Sequence, residues 1–204
     1  EKVSFFLNGK PVIANNNDTI WDVSKKYGKI IPHICHSWKT GYKPDGNCRA
    51  CVVEVKGEKV LTASCIRKPI DGMEVFTNNP KVKKSQKLVL ELLLTDQPKI
   101  KQKTYQEDHF WNTLNINQIT SSRFTPKNSD TVPKTDNSHP AMTVALDACI
   151  QCGLCIRACR DVQVNDVLGM SGRGANSYPV FDTNTSMGES SCVGCGECVQ
   201  ACPT

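Results

Sequence analysis

The sequence predicts an α+β chain of two small cysteine-bearing domains joined by a polar connector. Three observations predict it. The twelve cysteines of the 204-residue chain fall into three groups of four with none left over. The last quarter repeats one cysteine string, C-x2-C-x2-C-x3-C, at Cys149, Cys152, Cys155, Cys159 and again at Cys192, Cys195, Cys198, Cys202. The first eighty residues or so run hairpin, helix, then strands, the order of a β-grasp fold.

The elements follow in order. Val3, Phe5 and Leu7 alternate, Asn8-Gly9 gives a turn, and Val12 and Ile13 return, which predicts a hairpin over 3–15. Asp18 or Thr19 caps a helix carrying Ile20, Trp21, Val23 and Tyr27, with Gly28 near its end; Trp21 and Tyr27 are expected in the core. Strands are expected over 50–55 and 59–64, and Met73–Phe76 closes a first domain spanning 1–79. A helix from about Pro80 should turn Val82, Leu88, Leu92 and Leu93 to one side and stop before Pro98. Residues 80–140 then form the helix and a Lys-, Asn-, Ser- and Pro-rich connector, with one short docked helix around Phe110, Trp111, Leu114, Ile116 and Ile119. His109 and His139 have no second ligand nearby in sequence and read as surface residues. The last domain, 141–204, holds the repeat, a valine-bearing stretch 162–170, a Gly-rich turn 169–174 and a strand 178–182. Gly172-Arg173-Gly174 lacks the strand–loop–helix setting of a phosphate loop and reads as a tight turn bringing backbone near a cluster.

The repeat carries the chemistry. Thiolate is the soft ligand that iron–sulfur clusters select, and this spacing, run into Pro203, is that of a bacterial-type ferredoxin with two [4Fe–4S] clusters. In that arrangement the fourth cysteine of each run serves the other cluster. The expected sets are Cys149, Cys152, Cys155, Cys202 and Cys192, Cys195, Cys198, Cys159. Zinc normally takes two separated pairs, and three cysteines within seven residues do not suit it. Ile150, Leu154, Ile156, Val193 and Val199 interleave with the ligands and should shield the clusters from water.

The first group, Cys35, Cys48, Cys51 and Cys65, is spaced C-x12-C-x2-C-x13-C. The plant-type pattern, C-x4-C-x2-C with a distant fourth cysteine, has a shorter first gap and a longer last one. The turn-rich Pro44-Asp45-Gly46-Asn47 would let backbone amides approach a cluster. A [2Fe–2S] site is the reading; four-thiolate zinc stays open at this position. His33 and His36 flank Cys35 and read as loop residues beside the cluster.

The net charge of +5 gathers partly in Lys81, Lys83, Lys84, Lys87, Lys99, Lys101 and Lys103. No aromatic or base-reading partners accompany them, so no nucleic-acid binding is expected; they read as a solvated face or as a docking surface for an acidic partner. No apolar run would span a membrane, and Val3–Leu7 is too short for a signal peptide. Ligating thiolates oxidise readily, which implies a reducing, cytoplasmic setting. The chain lacks an initiator Met and stops two residues past Cys202, and is expected to be cut from a longer polypeptide.

Three ligand sets in this order resemble a group of oxidoreductase subunits. They include the complex I large subunit, the diaphorase subunit of NAD-linked nickel–iron hydrogenases, the front of iron-only hydrogenases, and the α subunit of NAD-linked molybdenum formate dehydrogenases. The stretch 147–167, opening Asp-Ala-Cys-Ile-Gln-Cys-Gly-Leu-Cys-Ile-Arg-Ala-Cys-Arg-Asp-Val, and the stretch 192–204 most resemble the formate dehydrogenase. Many relatives add a one-His, three-Cys cluster, with the His before a Pro. Here Gln97 precedes Pro98 and no cysteine lies between Cys65 and Cys149, so that cluster is absent. The resemblance implies an electron relay without catalytic residues of its own. It further implies a molybdenum (or tungsten) bis-pterin domain and another [4Fe–4S] later in the same polypeptide, and flavin- and NAD-binding diaphorase partners carrying FMN. The alternative is a free-standing electron-transfer subunit of a hydrogenase or complex I-like enzyme.

Overall fold

The structure, a computed structural model, describes residues 2–98, 108–125 and 135–204. The chain divides into two compact units. One comprises Glu1–His36 and Pro44–Leu90, the other Ser37–Lys43 and Glu91–Thr204.

The first unit is built on a five-stranded sheet. β1 (Lys2–Leu7) and β2 (Lys10–Asn15) pair antiparallel from Lys2↔Asn15 to Leu7↔Lys10. Asn8 and Gly9 both take positive φ, 51° and 79°, as the turn matching strand twist demands. β3 (Val52–Val55), β4 (Thr62–Ala63) and β5 (Glu74–Phe76) complete the order β2-β1-β5-β3-β4. β5 runs parallel to β1 and antiparallel to β3, the β-grasp order. α1 (Ile20–Lys26) starts at a reciprocal cap: Asp22 N–H donates to Thr19 Oγ1, and Thr19 N–H to the Asp22 carboxylate. Phe5, Leu7, Val12, Ile20, Val53 and Val75 form its core. Full burial of a side chain of this size stabilises by about 1.5–3 kcal/mol.

Three expectations need correction here. Tyr27 lies outside the core, 43% exposed, with its hydroxyl accepting from the Ile13 amide. β3 and β4 are shorter than expected, because Ser64 turns back to bond the Cys51 carbonyl through both its amide and its hydroxyl. α2 (Pro80–Leu94), capped by Asn79 Oδ1 on the Val82 amide, buries Val82, Gln86, Leu90 and Leu94 instead of the stripe through Leu88, Leu92 and Leu93; Leu92 is 48% exposed. The Gln86 amide donates to the Val52 carbonyl, so a polar residue occupies the inward face. Lys81, Lys83, Lys84 and Lys87 are exposed, Lys81 pairing with Glu54; Lys99, Lys101 and Lys103 lie outside the described residues, as does much of the connector.

In the second unit α3 (His109–Ile116) buries Phe110, Trp111 and Leu114, with Ile119 buried beyond its end, while Ile116 faces out. Its Phe110 amide donates to the Pro203 carbonyl at 2.9 Å, joining the short helix to the end of the second cysteine run. Glu91, buried, holds Arg123 at 2.7 Å. α4 (Leu154–Arg157) continues into a wider π-turn over Ala158–Val162. β6 (Leu168–Ser171) and β7 (Tyr178–Phe181) form a hairpin paired from Leu168↔Phe181 to Ser171↔Tyr178. The turn joining them needs Gly172, φ +73°, where a Cβ would strike the Asn176 carbonyl oxygen. Val164 is exposed and lies outside β6. α5 (Glu197–Ala201) follows Gly196. Among the described residues no helix is long and apolar enough to cross a membrane.

Candidate functional site

Among the described residues, which include all twelve cysteines, no disulfide forms and every cysteine is a thiol. In the first unit Cys35, Cys51 and Cys65 are buried and Cys48 is half-buried. The Cys48 amide donates to Cys35 Sγ at 3.3 Å, and the Cys35 amide to Cys48 Sγ at 3.5 Å. Gly46, at φ 65°, bends the loop before Cys48, and Arg49, at φ 60°, the short link from Cys48 to Cys51; a Cβ on Gly46 would press on Ile66. A hydrogen bond from the Cys35 thiol, helped by backbone amides of Cys35, Ala50 and Ile34, pulls Cys48 below the ordinary thiol value against the effect of burial. Cys65 acts likewise on Cys51. The donor thiols Cys35 and Cys65 are pushed up by those bonds and by burial. Cys51, Cys35 and Cys48 all act by charge on Cys65, so the four form one electrostatic group. His33 and His36 pack edge-on against Trp21, with ring centres 4.6 and 4.4 Å away, and Trp21 Nε1 donates to the Ile31 carbonyl.

In the second unit the repeat folds twice into the same ligand loop. Gln151 and Gly153 take φ 57° and 73°; Gly194 and Gly196, at the equivalent positions, take 69° and 75°. This left-handed backbone turns amides inward. The Gln151 amide donates to Cys149 Sγ at 3.3 Å and the Gly194 amide to Cys192 Sγ at 3.5 Å. The Gln151 side chain ties the first loop to the hairpin turn through the Ala175 and Ser177 carbonyls.

Each ligand loop closes on a cavity. Cys149, Cys152, Cys155 and Cys202 line one of about 220 Å³ together with Cys198, Met170 and Phe181. Cys192, Cys195, Cys198 and Cys159 line a second, of about 20 Å³, with Leu168 and Phe181. The fourth cysteine of each run thus meets the other run's first three. Burial, then the charges of Cys202, Cys149 and Cys198, pushes Cys155 up to about 12. Burial, then Cys192, Cys195 and Cys159, pushes Cys198 up to about 11. Four thiolates gathered on one cavity repel one another, and a positively charged iron–sulfur core is the group that such a donor set suits. Among the described residues no three His, Cys, Asp or Glu side chains converge as ligands of one metal ion would. Ligands of a cube reach separate irons and stand further apart. Ile150 and Leu154 are buried as expected of cluster shields, whereas Val193 and Val199 are 66% and 54% exposed.

Sequence reasoning missed four supporting residues. Gln97, buried, donates its amide to the Ala148 carbonyl, one residue before Cys149, at 2.6 Å. Arg157 donates to the Lys43 and Cys152 carbonyls. Tyr42 donates to Glu197. No spacing rule marks them, since each acts through a contact distant in sequence. His139 is half-buried and its Nδ1 accepts from the Ala141 amide; His109 is exposed.

Residues 1–80 match a family described as 2Fe-2S iron-sulfur cluster binding domain, and residues 148–204 one described as 4Fe-4S dicluster domain. The NADH-ubiquinone oxidoreductase 75 kDa subunit of Reclinomonas americana is 30% identical over 178 residues, 86% of this chain and 25% of the relative. The probable oxidoreductase YjgC of Bacillus subtilis (strain 168) is 28% identical over 213 residues, 99% of this chain and 20% of its own length. The chain therefore spans a quarter or less of these curated relatives. A chain of the NAD+-reducing [NiFe]-hydrogenase, solved in the H2-reduced state, shares the fold with a TM-score of 0.87 at 24% identity, over 99% of this chain and 85% of that one. The chain thus carries an N-terminal 2Fe-2S cluster binding domain and a C-terminal 4Fe-4S dicluster domain, and over most of its length is similar to a segment of the 75 kDa subunit of NADH-ubiquinone oxidoreductase.

Proposed function

We propose that this chain is the electron relay of an NAD-linked formate dehydrogenase α subunit. One [2Fe–2S] cluster would sit on Cys35, Cys48, Cys51 and Cys65, and two [4Fe–4S] clusters on the crossed sets of the repeat. The observation that carries the relay is that Cys202 lines a cavity with the first three cysteines of the first run, and Cys159 lines another with the first three of the second, Cys198 reaching both. Clusters of these types supply one-electron transfer. The chain's residues do the rest. The cysteines hold the iron, the amides of Gln151 and Gly194 donate to ligating sulfur and favour its charged form, and Ile150 and Leu154 keep water from one face.

What supports formate dehydrogenase over the other members is the likeness of 147–167 and 192–204, together with the lack of any cysteine between Cys65 and Cys149. Under this reading formate oxidation belongs to a molybdenum or tungsten bis-pterin domain and a further [4Fe–4S] elsewhere in the polypeptide. FMN and NAD belong to diaphorase partners, and the whole is cytoplasmic. The division into 1–79, 80–140 and 141–204 is part of the same proposal. The second reading, an electron-transfer subunit of a complex I-like enzyme or NAD-linked hydrogenase, is favoured by the 30% identity to the 75 kDa relative over most of this chain.

Anaerobic preparation should give about ten irons per chain and paramagnetic signals after dithionite; zinc without iron would overturn the relay. Expression of the complete natural gene with its neighbours should give formate-dependent NAD reduction together with bound molybdenum or tungsten. NADH oxidation or hydrogen-dependent NAD reduction without either metal would select the second reading.

A further inference from the structure

The gap between Cys35 and Cys48 is twelve residues, against four between the first two ligands of the plant-type pattern. Its middle, Ser37–Lys43, groups with the second unit. Three neighbouring residues of this segment grip residues set among the repeat's cysteines. Tyr42, 9% exposed, donates its hydroxyl to Glu197 Oε1 at 2.8 Å. The Lys43 carbonyl accepts from Arg157 Nη1 at 2.8 Å, and Arg157, 3% exposed, also reaches the Cys152 carbonyl. Gly41, at φ +93°, lies so near Val162 that an added Cβ would touch its side chain at 3.4 Å. Glu197 stands between Cys195 and Cys198, Arg157 between Cys155 and Cys159, and Val162 shortly after Cys159.

We propose that Tyr42 is a positioning residue for Glu197, so that the segment Ser37–Lys43 helps to set the reduction potential of the cluster held by Cys192, Cys195, Cys198 and Cys159. This rests on the proposed ligation of that set by iron. A carboxylate fixed beside a cluster opposes the arrival of a further electron, because cluster potential follows local charge and hydrogen bonding. A long, flexible glutamate would otherwise swing into water, where its charge is screened. The tyrosine hydroxyl holds it at the ligand loop. Tyr42 needs no proton exchange for this role; it acts by placing a charge.

The test is a redox titration of each cluster by electron paramagnetic resonance in the intact, anaerobically loaded protein, with iron and sulfide counted in every variant. Glu197→Gln should raise the reduced-to-oxidised ratio of one [4Fe–4S] cluster about tenfold at a fixed ambient potential, equivalent to about 59 mV for a one-electron couple. Tyr42→Phe, which keeps the ring, should move the same cluster in the same direction by a smaller factor. The double variant should match Glu197→Gln alone, because Tyr42 acts through Glu197. Unchanged potentials in Tyr42→Phe, or effects that add in the double variant, would overturn the positioning role while leaving the ligation intact. A wild-type protein that carries no [4Fe–4S] signal would overturn the ligation itself and this role with it. Iron content equal to wild type in the single variants separates a shifted potential from a lost cluster.

Discussion

The two cysteine repeats share a spacing and a backbone but not an environment. Gln151 and Gly153 curl as Gly194 and Gly196 do, and each loop sends an amide to its first sulfur. Around that common loop the residues differ. Ile150 and Leu154 are buried; their counterparts are Val193, exposed, and Glu197, half-buried. Cys152 is buried and Cys195 exposed, and Arg157 inside the first repeat corresponds to the exposed Gln200 in the second. The difference teaches that ligand spacing dictates loop conformation alone. Burial, on which cluster stability and potential depend, is dictated by the residues between the ligands.

The sharpest way to break this contrast is to remove matched ligands. Cys152→Ser takes a buried thiolate from the larger cavity and should abolish one [4Fe–4S] signal and about four irons per chain. Cys195→Ser takes an exposed one, where solvent oxygen can complete the shell, and should keep most of its iron with an altered signal. Equal iron loss in the two variants would show that exposure does not separate the sites.

A smaller effect should follow from the shields. Ile150→Ala empties a buried position, for which a cost of about 2–5 kcal/mol is usual. Val193→Ala trims an exposed side chain and should stay within about 0.5 kcal/mol. Thermal denaturation of the loaded protein, followed by loss of cluster absorbance, compares them. Matching midpoints would mean that the first repeat is no better packed than the second.

Much of this was legible before any coordinates. Asn8-Gly9 forces its turn, Thr19 and Asp22 form a cap by local bonding, and the repeated cysteine interval gives two loops of matching backbone. What stayed illegible depends on partners far along the chain. Gln86 turns inward because the Val52 carbonyl needs a donor, which no count of apolar residues along α2 reveals. Tyr27 carries a large apolar ring at helical spacing, yet the Ile13 amide holds its hydroxyl at the surface. Residues 37–43 carry no ligand and no motif; their use is visible only once Glu197 and Arg157 are placed beside them.

The finest test of the contrast lies in the thiols themselves. Cys155 and Cys198 are equivalent in the repeat, both half-buried, and pushed up from the ordinary value of 9.0 to about 12 and about 11. Burial leads in both cases, followed by the charges of neighbouring cysteines. A raised thiol favours the cluster-free fold below pH 9, and that contribution is lost as pH climbs through 11 toward 12. Only the thiolate attacks an alkylating reagent, so each unit of displacement lowers the reactive fraction about tenfold at a given pH below both values. Cluster-free protein treated with iodoacetamide at about pH 8 should therefore label Cys155 more slowly than Cys198, by about threefold once the greater nucleophilicity of the more basic thiolate is counted, with both rates still climbing above about pH 9. Peptide mass mapping reads each site separately. Equal rates, or faster labelling of Cys155, would mean that the deeper setting of the first repeat stops short of its ligating sulfur and concerns only the side chains around it.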